Sequence, residues 1–245
     1  KLIVRLGVGV SNIDLKYAKN NNIKISFTPD SPSLSVAEFT VGLAISLIRN
    51  IHHNNIQMHN GHWNKTMGRE LNEITLGIMG FGRIGQKVYK LFNNLGLKKI
   101  LVFEKDSKVK KKFTKVNFVE KRKILRLSDL ISLHLSSNSK SFEIINKESL
   151  SIMKKDAILI NTSRGDLVNE NDLYNSLYKK QLSGAAIDVF SEEPYVGKLK
   201  KLNNCILTSH IGSLTREARK NMEIEAVNEI VRFKLNKKLL LKYPL

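Results

Sequence analysis

Short apolar runs recur along the chain, separated by longer stretches whose apolar positions fall at helical spacing. That alternation predicts a parallel sheet covered by helices, a doubly wound α/β fold. Strands are expected at 2–6, 75–79, 100–103, 130–135, 157–161, 184–189 and 205–208. Helices fit between them at 84–95, 147–152 and 170–179, with a last one at 214–233. Residues 35–51 are apolar on most sides and long enough for a buried helix, and Ser31-Pro32-Ser33 supplies its boundary signal. One doubly wound domain is expected over 29–214. The flanking pieces, 1–28 and 215–245, are too small to fold alone. They are expected to share a second, smaller domain that the first interrupts.

Two of the strands run straight into glycine turns. At 80–85 the sequence GFGRIG satisfies G-x-G-x-x-G, with a strand before it and a helix after it that runs to Gly96. The next strand ends at Glu104, nineteen positions after Gly85. Gly80, Gly82 and Gly85 suit the close approach of a pyrophosphate to the positive end of a helix, and Glu104 suits a ribose hydroxyl. An acid there disfavours the extra phosphate of NADP, so NAD is the expected cofactor. The other turn, Gly7-Val8-Gly9, fails the same test. Asn12 stands at the third glycine position, and no long helix with an acid-tipped strand follows.

Three polar groups are expected just past strand ends in the second half. They are Arg164 in NTSRGD, Glu193 in AAIDVFSEEP and His210 in ILTSHIGS. In open α/β sheets the carboxyl ends of the strands form the ligand crevice, so the three converge on the cofactor's side.

Composition narrows the picture further. The 245 residues are 42% hydrophobic and 26% charged, ordinary for a soluble globular protein, and no apolar run approaches the roughly 18 residues of a membrane span. A single cysteine, Cys205, excludes an internal disulfide framework and a multi-cysteine zinc site, and a cytoplasmic setting is expected. His52, His53, His59 and His62 are not expected to bind metal. The net charge of +19 raises a nucleic-acid reading, with basic residues crowded between Lys105 and Arg126. No aromatic-rich binding signature accompanies them, so a solvated basic surface is the expectation.

GFGRIG, the leading GVGVSNID and the three strand-end motifs together resemble the NAD-dependent D-2-hydroxyacid dehydrogenase family. Within it the sequence is most similar to the D-3-phosphoglycerate dehydrogenases. The spacing is distinctive: 29 positions separate Arg164 from Glu193, and 17 separate Glu193 from His210. The resemblance implies a cofactor domain inserted in a flavodoxin-like substrate domain. It implies that Arg164 grips the substrate's carboxylate and that His210 takes its hydroxyl proton. Glu193 would orient His210; the family's acid immediately before proline selects it over Glu192. Asp188 would lie near the nicotinamide carboxamide, Arg83 and Ile84 on the pyrophosphate, and Thr162 and Gly212 among the cofactor contacts. The Gly7-Val8-Gly9 turn becomes a substrate loop, in which Val8 and Gly9 offer N–H groups to a carboxylate with Arg5 nearby.

The expected substrate is a small 2-hydroxy or 2-keto acid, with 3-phosphoglycerate (serine biosynthesis) favoured. The alternatives are a glyoxylate or hydroxypyruvate reductase and a non-catalytic, NAD-sensing corepressor-like scaffold. Asn60-Gly61-His62-Trp63 resembles a family segment that contributes dimer contacts, which implies a homodimer. Family members carry several strand–helix units before the substrate loop, so the chain is expected to be a partial polypeptide. Ser136 stands where a proline is usual, and Glu104 where aspartate is commoner.

Overall fold

The computed structural model describes residues 1–10 and 12–244. In chain order the elements are β1 (Leu2–Arg5), α1 (Leu15–Asn20), β2 (Lys24–Phe27), α2 (Ser33–Ile48), α3 (Ile51–His59), β3 (Thr75–Met79), α4 (Arg83–Asn94) and β4 (Lys99–Phe103). There follow α5 (Ser107–Lys112), α6 (Lys121–Leu127), β5 (Leu130–Leu133), α7 (Lys147–Ser151), β6 (Ile158–Asn161), α8 (Glu170–Tyr178), β7 (Gly184–Ile187), β8 (Cys205–Leu207) and α9 (Arg216–Lys234). The chain divides into two compact units. One is Lys1–Val36 with Ser213–Leu245, the other Ala37–Gly212. The first unit thus reaches into the opening turn of α2, beyond the division at residue 29 drawn from sequence.

The larger unit is a six-stranded, wholly parallel sheet in the order β4-β3-β5-β6-β7-β8. Its strands are buried on both faces, which is why they read as apolar runs rather than alternating ones. Leu76, Ile78 and Leu130 face a core shared with Leu43, Ala44 and Ile48 of α2 and with Val88 and Phe92 of α4. Met79, Ile131 and Leu133 face the opposite core, with Ile124 of α6, Leu150 of α7 and Leu173 and Leu177 of α8. Beyond β4 the place of a further strand is taken by a single parallel bridge, Val102 to Phe118. Val102 donates to the Asn117 carbonyl and accepts from Val119. Both neighbours of β3 come later in the chain, β4 on one side and β5 on the other. That reversal is where α/β sheets open a ligand crevice.

The helix expected at 35–51 is α2, which ends three residues early at Ile48, and a second helix, α3, follows from Ile51. α2 and α3 are bent by 64° about a break in which Asn50 adopts a left-handed conformation at φ 52°. Asparagine tolerates that conformation better than most residues, and its backbone turns the chain there. Among the described residues no single helix is long and apolar enough to cross a membrane.

In the smaller unit β1 and β2 pair in parallel, with register from Leu2 opposite Lys24 to Arg5 opposite Phe27. Glu229 of α9 is buried and ties the tail beyond α9 to β2. It accepts from Ser26 Oγ at 3.0 Å and from the Leu240 and Leu241 amides at 3.1 Å each. Replacing Glu229 by alanine leaves the Leu240 and Leu241 amides without their acceptor, while the Ser26 hydroxyl keeps the Leu241 carbonyl at 2.8 Å. It is expected to cost about 1–3 kcal/mol, read as a lower unfolding midpoint with faster exchange of the Leu240 and Leu241 amides.

Candidate active site

The turn after β3 fits a dinucleotide because each glycine does something different. Gly80 has φ +98°, and a Cβ there would lie 2.5 Å from the His134 carbonyl oxygen. A Cβ on Gly85 would lie 2.2 Å from the Gly80 carbonyl oxygen, so α4 presses directly on the turn. At Gly82, which caps α4, a Cβ would meet nothing within 4 Å. That space lies against an α4 amino terminus with no side-chain cap and no acid in its first turn. A cradle that is open where a Cβ would go, at the positive end of a helix, suits an anionic pyrophosphate. Arg83 and Ile84 open the helix beside it.

Glu104, immediately after β4, turns its carboxylate onto backbone. Oε2 accepts from the Phe81 amide of the glycine turn at 2.8 Å, and Oε1 accepts from the Lys105 and Asp106 amides at 2.7 and 2.9 Å. The acid therefore stands at the tip of β4, braced against the glycine turn. Thr162, just past β6, is buried, and its hydroxyl meets that of Thr40 on α2 at 2.9 Å. Thr40 was not singled out in the sequence, because one threonine on an apolar helix carries no pattern. His134, just past β5, was likewise missed. Its Nε2 lies 2.8 Å from Ser132 Oγ, and burial pushes its pKa down to about 3, so the ring is neutral.

Past β7 and β8 the catalytic candidates come together. His210 Nδ1 lies 2.9 Å from Glu193 Oε2. Glu192 is exposed, and the carboxylate that reaches the ring is that of Glu193. The second Glu193 oxygen accepts from the Phe190 amide at 3.1 Å. Burial alone would raise the Glu193 carboxyl, but the His210 hydrogen bond, the Phe190 amide and the charges of His210 and Arg164 hold it below the usual carboxylate range. Arg164 follows β6 in an extended conformation, its carbonyl fixed by Asn161 Nδ2 at 2.8 Å.

Asp188 lies just past the end of β7. It is 1% exposed, and its carboxylate is filled by the protein itself: Oδ1 accepts from Thr208 Oγ1 at 2.6 Å and from the Ile211 amide at 2.9 Å. Oδ2 accepts from the Gly212 amide at 2.9 Å, and the His210 amide donates to the Asp188 carbonyl. Asp188 and Gly212 together shape the turn that carries His210, which sits at φ 57°.

In the smaller unit Gly7 has φ +114°, and its amide donates to Thr28 Oγ1 at 2.7 Å. Val8 is exposed, Gly9 follows half-buried, and Arg5 Nη1 donates to the Leu6 carbonyl. Among the described residues no group of three or more metal-ligating side chains occurs.

A glycine turn at a sheet's switch point, with a carboxylate-backed histidine at the same strand ends, defines a dinucleotide-dependent oxidoreductase. The model of the D-isomer specific 2-hydroxyacid dehydrogenase NAD-binding domain matches residues 41–212. The chain belongs to this family of NAD-dependent oxidoreductases. It is 36% identical over 236 residues to a hydroxypyruvate reductase of Thermotoga maritima, covering 94% of this chain and 76% of that protein. It is also 36% identical over 245 residues to a D-3-phosphoglycerate dehydrogenase of Methanocaldococcus jannaschii, covering 96% of this chain and 46% of that longer protein. A crystal structure of a glyoxylate reductase from Paecilomyes thermophila superposes with a TM-score of 0.91 at 30% identity, over 100% of this chain and 75% of that one.

Two outcomes follow. Gly82→Ala has room for its methyl and an ordinary φ, so it is expected to melt like wild type. It is also expected to bind NAD at least about tenfold more weakly, a loss of roughly 1.4 kcal/mol by calorimetry. The lowered Glu193 pKa means that its pairing stabilises the fold at neutral pH and loses that effect as pH falls through the lowered value. Melting curves of wild type and Glu193→Gln are expected to differ at neutral pH and to converge in acid.

Proposed function

We propose that the chain transfers a hydride between NAD and a D-2-hydroxy acid, interconverting it with the 2-keto acid. The hydrogen bond of Glu193 to His210 Nδ1 supports this reading most directly. It fixes the ring and leaves Nε2 as the nitrogen that exchanges a proton with the substrate oxygen. NAD supplies the nicotinamide carbon that accepts or returns the hydride. Arg164 offers a planar fork of donors to the substrate carboxylate and the oxygen on C2, which holds C2 in place for transfer. In oxidation His210 removes the hydroxyl proton, and in reduction it returns one. Glu193, held ionised, balances the imidazolium. Val8, Gly9 and Arg5 are proposed as the carboxylate contacts of the substrate loop. Gly80, Gly82, Gly85, Arg83 and Ile84 are proposed to hold the pyrophosphate, Glu104 the ribose, and Thr162, Asp188 and Gly212 to lie on the nicotinamide side.

For the acid itself, 3-phosphoglycerate is the reading the sequence motifs favour. A second reading, reduction of hydroxypyruvate or glyoxylate, draws support from the hydroxypyruvate reductase of equal identity, 76% of whose length is matched. NADH formation with 3-phosphoglycerate, against NADH consumption with hydroxypyruvate and glyoxylate, separates the two by kcat/KM. A homodimer is proposed as well, supported by the exposed Met58, Trp63 and Met67 in and after α3. Sedimentation at a single monomer mass would reject it.

His210→Gln is expected to lower kcat by about 10² to 10⁴ while NAD affinity stays at the wild-type value. Turnover near wild type in that variant would refute the assignment of the proton to His210.

A further inference from the structure

Glu193 faces a positional problem. Its side chain is 40% exposed, and it belongs to the irregular stretch between β7 and the short 3₁₀ turn Lys198–Lys201. No helix or strand sets its direction, yet its carboxylate lies 2.9 Å from a histidine seventeen residues further on. Something in the loop must hold it there.

Two aromatic rings bracket it. Phe190 and Tyr195 stack with centroids 4.1 Å apart and planes 19° from parallel, so the residues between them, Ser191 to Pro194, close into a short loop. The base of that loop is anchored on both sides. The Tyr195 hydroxyl accepts from the amide of Leu199, a fully buried core residue. The Tyr195 ring lies against the backbone of Gly197, where a Cβ would come within 2.5 Å of Cζ. The Phe190 backbone rests on the turn that carries Arg164, since a Cβ on Gly165 would lie 1.9 Å from the Phe190 carbonyl carbon. Phe190 also donates its amide to Glu193 Oε1. Glu170 Oε1 accepts from the Ser191 amide at 2.9 Å. Both rings pack against the core between the sheet and α8.

We propose that the Phe190–Tyr195 stack positions Glu193 against His210, and that Tyr195 is a positioning residue whose influence on the reaction passes through Glu193. The inference rests on the function proposed above and names the device that sets its carboxylate. Without the ring at 195, the loop from Ser191 to Pro194 loses the contact that closes it, and Glu193 samples orientations that leave His210 Nδ1 without its acceptor. Misplacing a group that orients the reacting one by about an ångström can cost on the order of a hundredfold in rate. Substrate and cofactor binding depend on other residues and should be spared.

The test is a double-mutant cycle with a readout that needs no turnover. Tyr195→Leu keeps apolar bulk for packing but removes the flat ring, and Tyr195→Phe keeps the ring but loses the acceptor for Leu199. Tyr195→Leu is expected to lower kcat by about tenfold to a hundredfold with KM for acid and NAD within about twofold. Tyr195→Phe should recover most of the loss. In a Glu193→Gln background Tyr195→Leu should add nothing. Independently, the imidazole nitrogen shifts of His210, assigned with His210→Gln, should move in Tyr195→Leu toward their values in Glu193→Gln. A folded Tyr195→Leu protein with unchanged His210 shifts overturns the proposal, as does a rate loss that adds fully to that of Glu193→Gln. If the wild-type chain turns over no 2-hydroxy acid while the His210 shifts respond as stated, the proposed function falls and the positioning role stands.

Discussion

A buried carboxylate with all its acceptor capacity turned inward holds this site together. Asp188 takes hydrogen bonds from Thr208, Ile211 and Gly212 through its side chain and from His210 through its carbonyl. Four donors from one five-residue turn thus converge on one residue at the end of the adjacent strand. A buried polar group with fewer partners would be costly to desolvate, so the turn has little freedom to take another shape. The direction of the His210 ring follows from that turn, and the reach of Glu193 is useful only because the ring is where it is.

The rest of the larger unit brings such strand ends side by side. A parallel sheet aims every carboxyl end the same way, and burial on both faces fixes the strand register that sets their height. Gly80, His134, Thr162, Asp188 and the His210 turn therefore share one rim, though their sequence positions span 130 residues. Close backbone packing links neighbouring parts of that rim. Gly80 lies against the His134 carbonyl and Gly165 against that of Phe190, so the turn at Arg164 and the loop of Glu193 bear directly on each other.

What could be seen in the sequence followed from local chemistry. The strand at Thr75–Met79 has the bounds its apolar run suggests, and the glycine turn after it is read from its spacing between a strand and a helix. The larger sheet's other strands begin or end within two residues of expectation, because buried parallel strands are continuous apolar segments. What could not be seen depends on partners distant in the chain or on weak local signals. α5 and α6 lie in a lysine-rich stretch that reads as a charge run, and α3 has few apolar residues. The Thr40–Thr162 contact joins residues 122 apart. The inward role of Asp188 requires knowing where residues 208–212 fold. Glu104 shows a subtler limit: its place at the strand end was legible, but its grip on three backbone amides was not.

His210 occupies a left-handed backbone conformation that glycine adopts freely and histidine does not. Such a conformation costs a side-chain-bearing residue about 1–2 kcal/mol. The residue that best satisfies the backbone at this position is therefore not the one that carries the imidazole. His210 is a point of local frustration, where the demands of folding and of chemistry select different amino acids. The hydrogen bonds gathered by Asp188 offset that conflict, and they let the chain keep a histidine where folding alone would favour glycine.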